Sequence, residues 1–524
     1  MNRRAALAFL VFSTWAGLFG QIGRAEVRPH ALIHDGMVLQ QGQKVPIWGT
    51  ADEGEKVTVK FQDQELSATT KDGNWQVQLE HLKVGGPYEM TITGKKPIHV
   101  KNVLVGEVWV ASGQSNMEWP VRLSADPEKT AKESKNPNIR LFTVAKRPAA
   151  VPLHDVQGSW QECGPETVGN FSAVAYFFGR ELQKTLNVPV GLIHTSWGGT
   201  PAESWTSRPA LEAEPALKYL AERQIQALKE YPKALERYLE ELGKYKSIVT
   251  KAIAEGQDVP QPPAAPAAPV HAWAASSLYD GMIASIIPYG IRGAIWYQGE
   301  SNAGRAYEYR TLLPTMIKNW RADWKQGDFP FLIVQLAPFM KIEAEPKESE
   351  WAELREAQFY TTQTVPNTGQ AVITDIGHET DIHPKWKEPV GVRLALAARA
   401  LAYGEKIVYS GPVYKSMRVE GSKAILSFDH VGGGLVAKGG PLVGFTIAGD
   451  DRKFVKAEAE VVEDKIYVSS SLVPHPVAVR FGWANYPVVN LWNKEGLPAT
   501  PFRTDNFPMI TDPQSRAAAN SKTR

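Results

Sequence analysis

One cysteine, Cys163, stands in a chain of 524 residues. An intrachain disulfide is therefore excluded, and the fold must be held by packing and hydrogen bonding alone. Glu162, Gly164 and Pro165 beside it offer no base, so Cys163 reads as a packing residue and not as a nucleophile. Charge of one sign is lacking too: 58 Lys and Arg against 56 Asp and Glu leave a net +2, spread along the chain, which is no footprint for nucleic acid. Beyond the N-terminus no apolar run approaches the roughly 20 residues a membrane span needs. His-Glu-x-x-His is absent, and Gly432-Gly433-Gly434 is a turn between strands, since no Lys-Ser/Thr follows it to make a phosphate loop.

What is present is core-forming material. With 43% hydrophobic, 22% charged and 10% aromatic residues, the chain can bury a large interior, and its length predicts two or three domains. It opens with Met1-Asn2-Arg3-Arg4, an apolar centre over 5–20 and the small residues of Gly23-Arg24-Ala25. This is the pattern of a secretory signal over 1–25, and it predicts a secreted or periplasmic protein with no membrane attachment after cleavage.

From 26 to 103 the pattern is all-β. Val57, Val59 and Phe61 alternate with polar residues, as do Trp75, Val77 and Leu79 after an Asp72-Gly73 turn. A small N-terminal β-sandwich is expected, as a platform for the adjoining domain or as a carbohydrate-binding module. From 104 to 404 strands alternate with helical periodicity, the helices falling over 171–186, 307–325, 350–362 and 389–403 and strands between them at 331–336 and 371–374, which argues for an α/β domain with a parallel sheet. Residues 210–270 interrupt it with a Glu/Lys/Ala/Leu-rich stretch, one or two exposed helices, and a Pro/Ala-rich linker. That insertion is a spacer, or else a lid or partner surface. Residues 405–510 return to β signals, and 511–524 read as a disordered tail.

Chemistry concentrates where four apolar strands end. Residues 104–111 stop at Ser112-Gly113-Gln114-Ser115-Asn116; 188–194 run into Thr195-Ser196-Trp197-Gly198-Gly199-Thr200; 291–296 run into Tyr297-Gln298-Gly299-Glu300-Ser301-Asn302; and 371–374 lead to Asp375 and on to Asp381-Ile382-His383-Pro384. Ligands of open α/β sheets bind outside the carboxyl ends of the strands. A hydroxyl, backbone N–H groups, an amide and an imidazole gathered at one edge are the parts of an acyl-transfer site. Ser115 is the candidate nucleophile and His383 its base, with Asp381 two residues earlier to accept the imidazole N–H. His378 is the weaker competitor for the base, and Asp375 or a backbone carbonyl is the alternative to Asp381. A metal site built from His378, Asp381 and His383 is disfavoured, because three ligands within six residues of one loop are hard to arrange around one ion.

At these positions the chain resembles the sialate O-acetylesterase family of carbohydrate esterases, a branch of the SGNH (GDSL-like) hydrolases. The resemblance rests on GQSNMEWPV at 113–121, SWGGTPAESW at 196–205, WYQGESN at 296–302 and DIHPKWK at 381–387, with MVLQ at 37–40, RKFVKAEA at 452–459 and NKEGLPATPFRTD at 493–505 outside the core. It implies a three-layer α/β/α SGNH domain with a parallel sheet, flanked by the N-terminal β-sandwich and a C-terminal β-rich domain. It also implies a serine esterase that needs no cofactor and takes O-acetyl groups off glycans. The sugar is a sialic acid by the family name, or a plant polysaccharide such as xylan or xyloglucan; a non-catalytic glycan-binding protein on the same fold is the remaining reading. The resemblance suggests the backbone N–H of Ser115, the backbone N–H of Gly199 and the side-chain amide of Gln298 as oxyanion donors, each able to supply on the order of 3 kcal/mol. Asn302 and Glu300 would hold the Gln298 loop. In the wider SGNH pattern the acid lies three residues before the histidine, where this chain has Thr380. Trp119, Trp197 and Trp205 flank the motif loops as candidates to shape a sugar-facing cleft.

Overall fold

The computed structural model describes residues 26–522; the expected leader lies outside them. Among the described residues no helix is long and apolar enough to cross a membrane.

One strand organises the molecule. β1, Pro97–Gly113, is 17 residues long and buried without interruption from Val103 onward, the signature of a strand covered on both faces. Six further strands line up around its second half: β2 (Asn136–Thr143), β3 (Trp160–Cys163), β4 (Val190–Ser196), β5 (Gly293–Tyr297), β6 (Phe331–Val334) and β7 (Thr368–Ala371), in the order β3-β2-β4-β1-β5-β6-β7. Every neighbouring pair is parallel except β3 with β2. The chain thus leaves β1 to one side for β2, β3 and β4 and then crosses to the other for β5, β6 and β7. This puts the carboxyl end of β1 at the topological switch point, where α/β sheets form their ligand crevice.

Helices cover both faces. On one, α2 (Ala173–Leu186) and α6 (Glu388–Leu401) bury Val174, Phe178, Leu182, Val390 and Leu394 in one cluster with Trp109, Leu192, Ile295 and Leu332. On the other, α4 (Ala306–Trp324) and α5 (Glu350–Thr364) bury Leu313, Ile317, Trp320 and Leu354 with Val108, Val110, Trp296 and Ile333. From Val108 to Ala111 the even and odd residues of β1 feed opposite cores, as the two-residue period of a strand requires. Each helix lies within two residues of its expected span. The last strand does not: expected over 371–374, it is Thr368–Ala371, because Val372 and Ile373 are buried as a turn, Ile373 O accepting Ile376 N and Val372 O accepting Arg393, and not as a ladder.

The N-terminal strands alternate as expected: Val57, Val59 and Phe61 point inward, as do Trp75, Val77 and Leu79. Yet they are not set off by a linker. The first half of β1 pairs antiparallel with Gly85–Thr93 and parallel with Val38–Gln40, so the boundary expected at 103–104 falls inside a strand shared by both regions. The 210–270 insertion carries a 37-residue helix, α3 (Lys218–Ala254), anchored at its start by the buried Leu220 and Ala221 and otherwise largely open to solvent. The C-terminal region is β-rich with a core of its own. It is fastened to α5 by the buried Arg355, whose guanidinium donates to Ala484 O and Asn485 O at 2.7 Å each. The tail is helical over Pro513–Lys522 where sequence predicts disorder: Asp512 Oδ1 caps Gln514 N, Arg516 pairs with Glu350, and a run of alanines follows.

Gly113 ends β1 at φ +136°, and a Cβ there would stand 2.2 Å from the Tyr297 carbonyl oxygen. Gly113→Ala is expected to cost about 3 kcal/mol from strain and displacement of that carbonyl, read as a lowered thermal midpoint. Gly164→Ala, where a Cβ meets nothing within 4 Å, is expected to leave the midpoint in place; equal midpoints for the two variants would contradict the packing described.

Candidate active site

β4, β1 and β5 end level with one another: Ser196 and Tyr297 both pair with Gly113. The three turns that follow are stitched together by backbone bonds, Trp197 N to Gly113 O at 3.1 Å and Gln114 N to Tyr297 O at 2.9 Å. Gln114 Oε1 further accepts Gly299 N and Ser301 N, both at 3.3 Å.

Ser115 is the first residue of the short helix α1, Ser115–Glu118, so its N–H is one of the first-turn donors with no acceptor inside the helix. The helix is pinned from below: Ser172 Oγ, the N-cap of α2, donates to Met117 O at 2.6 Å. Gly198 sits against the serine, where a Cβ on it would meet Ser115 Cβ at 3.3 Å. Glu118 Oε2 accepts Gly198 N at 2.6 Å, and Glu118 also pairs with Lys146, which lies over the Trp197 ring. Gly199 takes φ +75°, a conformation that disfavours any residue with a Cβ. Its carbonyl accepts Ser301 Oγ at 2.8 Å and Trp273 Nε1 at 2.7 Å.

His383 reaches the same corner from the loop before α6. Its ring stacks on Trp119, 4.7 Å between centroids and 15° between planes, and Nε2 is buried with no hydrogen-bond partner among the described residues. Asp381 is present but its contact differs from the one expected. Oδ1 accepts the backbone N–H of His383 at 2.9 Å, while the ring Nδ1 lies 3.7 Å away, beyond hydrogen-bond reach. Asp381 therefore shapes the loop and acts on the ring through its charge. The alternative orienting acid is engaged elsewhere: both Asp375 oxygens are taken by Arg393, at 2.6 and 2.7 Å. His378 is exposed, and its Nδ1 accepts Thr380 N and Asp381 N at 3.2 and 3.1 Å, which makes it a loop-forming residue.

Gln298 lies under the surface. Its amide N–H groups go to Asn302 Oδ1 at 2.7 Å and to Thr200 O at 3.2 Å, and its Oε1 accepts Tyr309 OH at 2.8 Å. Asn302 thus holds the Gln298 loop as expected; Glu300 does something else. Asn116, next to the serine and fully buried, donates to Glu300 Oε1 at 2.6 Å and to Ile382 O at 3.0 Å, and accepts from Lys387 Nζ. One amide therefore ties the Ser115 turn, the Gln298 turn and the His383 loop together. Sequence reading missed both Asn116 and Lys387, although both lie within the quoted motifs, because nothing in a lysine's spacing announces that it is buried. Of the three tryptophans picked out as cleft candidates, Trp119 carries the histidine and Trp197 is half-buried beneath Lys146. Trp205, wholly buried with Nε1 on Thr200 Oγ1, is a packing residue. Cys163 is buried as well, its thiol pushed up to about 12 by burial.

Burial sets the electrostatics of the corner. It lowers Lys387 to about 7 against the pull of Glu300 and Asp381, and it raises Glu300. His383 is lowered first by burial and then by Lys387, with Asp381 opposing. A base kept neutral near pH 7 is ready to accept a proton. Because the Lys387 cation disfavours the imidazolium, Lys387→Met is expected to raise the His383 pKa. The imidazole, followed by NMR across pH 4–9, should then titrate at higher pH than in the wild type. An unchanged or lower titration point would contradict the arrangement.

The sequence profile of "Carbohydrate esterase, sialic acid-specific acetylesterase" matches residues 105–248 and 262–399, which span the three turns and the histidine loop. Sialate O-acetylesterase of Rattus norvegicus is 32% identical over 433 residues, 75% of this chain and 77% of that one, and the Homo sapiens protein of the same name is 28% identical over 93% of this chain and 94% of its own. The crystal structure of a carbohydrate acetylesterase from Xanthomonas citri is 36% identical, superposes with a TM-score of 0.77 and covers 92% of this chain and all of that one. By its sequence, then, and over most of its length, the chain belongs to the sialic acid-specific acetylesterase family of carbohydrate esterases and is a carboxylic ester hydrolase.

Proposed function

We propose that this protein is a secreted serine esterase that removes O-acetyl groups from carbohydrates, with acetylated sialic acids as the first substrates to consider. The observation that carries this reading is the convergence at one sheet edge of a helix-opening serine, a Gly198-Gly199 turn against it with Gly199 left-handed, and a histidine whose Nε2 is buried without a partner among the described residues. The fold is read as the SGNH three-layer arrangement, with residues 26–103 as a platform and 405–510 as a β-rich accessory. The leader over 1–25 is the basis for export.

In this scheme Ser115 Oγ attacks the acetyl carbonyl carbon as His383 Nε2 takes the hydroxyl proton. The charge that develops on the carbonyl oxygen meets the N–H groups of Ser115 and Gly199. Gln298 joins them by exchanging its longer bond, the 3.2 Å contact to Thr200 O, for one to the oxyanion. Collapse expels the sugar oxygen, which leaves with the proton from His383. Water, deprotonated by the same histidine, then attacks the acetyl-serine and releases acetate. Asp381 favours the transient imidazolium by its charge. The scheme uses no cofactor. The likeness to a relative described as a carbohydrate acetylesterase keeps xylan and xyloglucan acetates in view beside sialates.

Acetate release from acetylated sialic acids, xylo-oligosaccharides and xyloglucan tests the reading. The wild type is expected to act on at least one, and Ser115→Ala to lose roughly 10⁴-fold or more in kcat. Equal rates in the two proteins, or none from either, would overturn it, the second outcome leaving only glycan binding. Asp381→Asn is expected to lower kcat by about 100-fold, and a near-normal rate would remove Asp381 from the mechanism.

A further inference from the structure

Sixteen tryptophans occur in the chain, and those open to solvent among the described residues are Trp273 and Trp386, 54% and 61% exposed. Trp386 is three residues from His383. Trp273 arrives from much further away. It follows the Pro/Ala-rich stretch that closes the 210–270 insertion, after Pro269 O accepts Gln224 of α3 at 2.7 Å. A tight turn comes next, in which Ala274 N and Ser277 Oγ both donate to His271 O, and Ser276 N is tied to Glu203 O at 2.9 Å. The indole at the tip of that turn is fixed at one edge, by the bond from its Nε1 to Gly199 O, and its ring atoms lie 3.8 Å from where a Gly199 Cβ would stand.

Two features of this arrangement go beyond support of the Gly199 turn. Ser301 Oγ already satisfies the Gly199 carbonyl, so the indole N–H is a second donor to an oxygen that has one. More than half of the residue's surface is left in water although the indole is held in place, and an apolar surface kept exposed and ordered beside a reactive group is a feature of ligand sites. Pyranose rings match it chemically: their C–H faces are apolar and their rims carry hydroxyls, so they lie flat on an aromatic face while the hydroxyls remain hydrated.

We propose that Trp273 is the platform on which the sugar ring of the acetylated substrate stacks, fixing the distance at which its acetyl ester meets Ser115. The insertion is then more than a spacer, because it delivers a substrate-binding residue to the rim of the active site. This inference rests on the esterase reading above.

The test compares wild type, Trp273→Phe, Trp273→Ala and Ser115→Ala on 9-O-acetyl-N-acetylneuraminic acid, acetylated xylotriose and ethyl acetate, an ester with no ring to stack. For the sugar that the wild type cleaves, Trp273→Ala is expected to raise KM about tenfold, and its loss of kcat/KM on that sugar is expected to exceed its loss on ethyl acetate by about the same factor. Trp273→Phe, which keeps a ring but lacks the Nε1 donor, is expected to recover most of the sugar KM. If Trp273→Ala falls equally on the sugar and on ethyl acetate, or leaves the sugar KM unchanged, or if the wild type cleaves ethyl acetate but neither sugar, the platform is overturned. Ethyl acetate hydrolysis that is the same in wild type and Ser115→Ala overturns the esterase reading itself, and the platform with it.

Discussion

Three parallel strands that end level with one another are the constraint on which the proposed active site depends. Because Ser196, Gly113 and Tyr297 pair across β4, β1 and β5, the turns leaving them start side by side and need only a few residues each to bring a hydroxyl, a glycine N–H and an amide together. The geometry tolerates no side chain at Gly113, where a Cβ would stand 2.2 Å from the Tyr297 carbonyl oxygen. It needs a rigid β1, which the strand obtains by burial from Val103 onward and by cores on both faces. The N-terminal β-structure contributes to the same rigidity, since it pairs with the first half of that strand and cannot move independently of it.

Behind Ser115 and His383 lies a second layer made of polar groups that would be costly to bury alone. Asn116 spends both ends of its amide there, donating to Glu300 and Ile382 and accepting from Lys387. The cost of burying Lys387 appears in its pKa, lowered to about 7, and part of that cost reaches the histidine as a cation that disfavours imidazolium. His383 is thus placed by an aromatic stack, a backbone cap and a tethered loop. The carboxylate expected to orient it through Nδ1 instead bonds the backbone and lies 3.7 Å from the ring.

Much of this was readable from the amino acids, and the failures have physical causes. The helix over Ala173–Leu186, with apolar residues at helical spacing, lies where sequence puts it, because amphipathic spacing reports directly on which face is buried. The strand at Thr368–Ala371 was misplaced because an apolar run can be buried as a turn as easily as a ladder. Ser115 stood out because it follows a strand in a Gly-bearing turn and His383 because it closes an Asp-x-His pair, while the role of Gly199 was suggested by the family resemblance. The roles of Asn116 and Lys387 did not, since they depend on which side chains the tertiary fold brings within reach. Trp273 was invisible for the same reason: it follows a proline-rich stretch that gives no sign of returning to the catalytic edge.

In the proposed mechanism Ser115 becomes covalently acetylated during turnover. This is tested most directly by rapidly quenching the enzyme with a cleaved acetylated sugar and mapping the modified peptide by mass spectrometry, using His383→Ala alongside the wild type. One acetyl group is expected on Ser115 in the wild type during turnover and none in the variant. Acetate release with no acetylation of Ser115, or with the acetyl group on another residue, would contradict that mechanism.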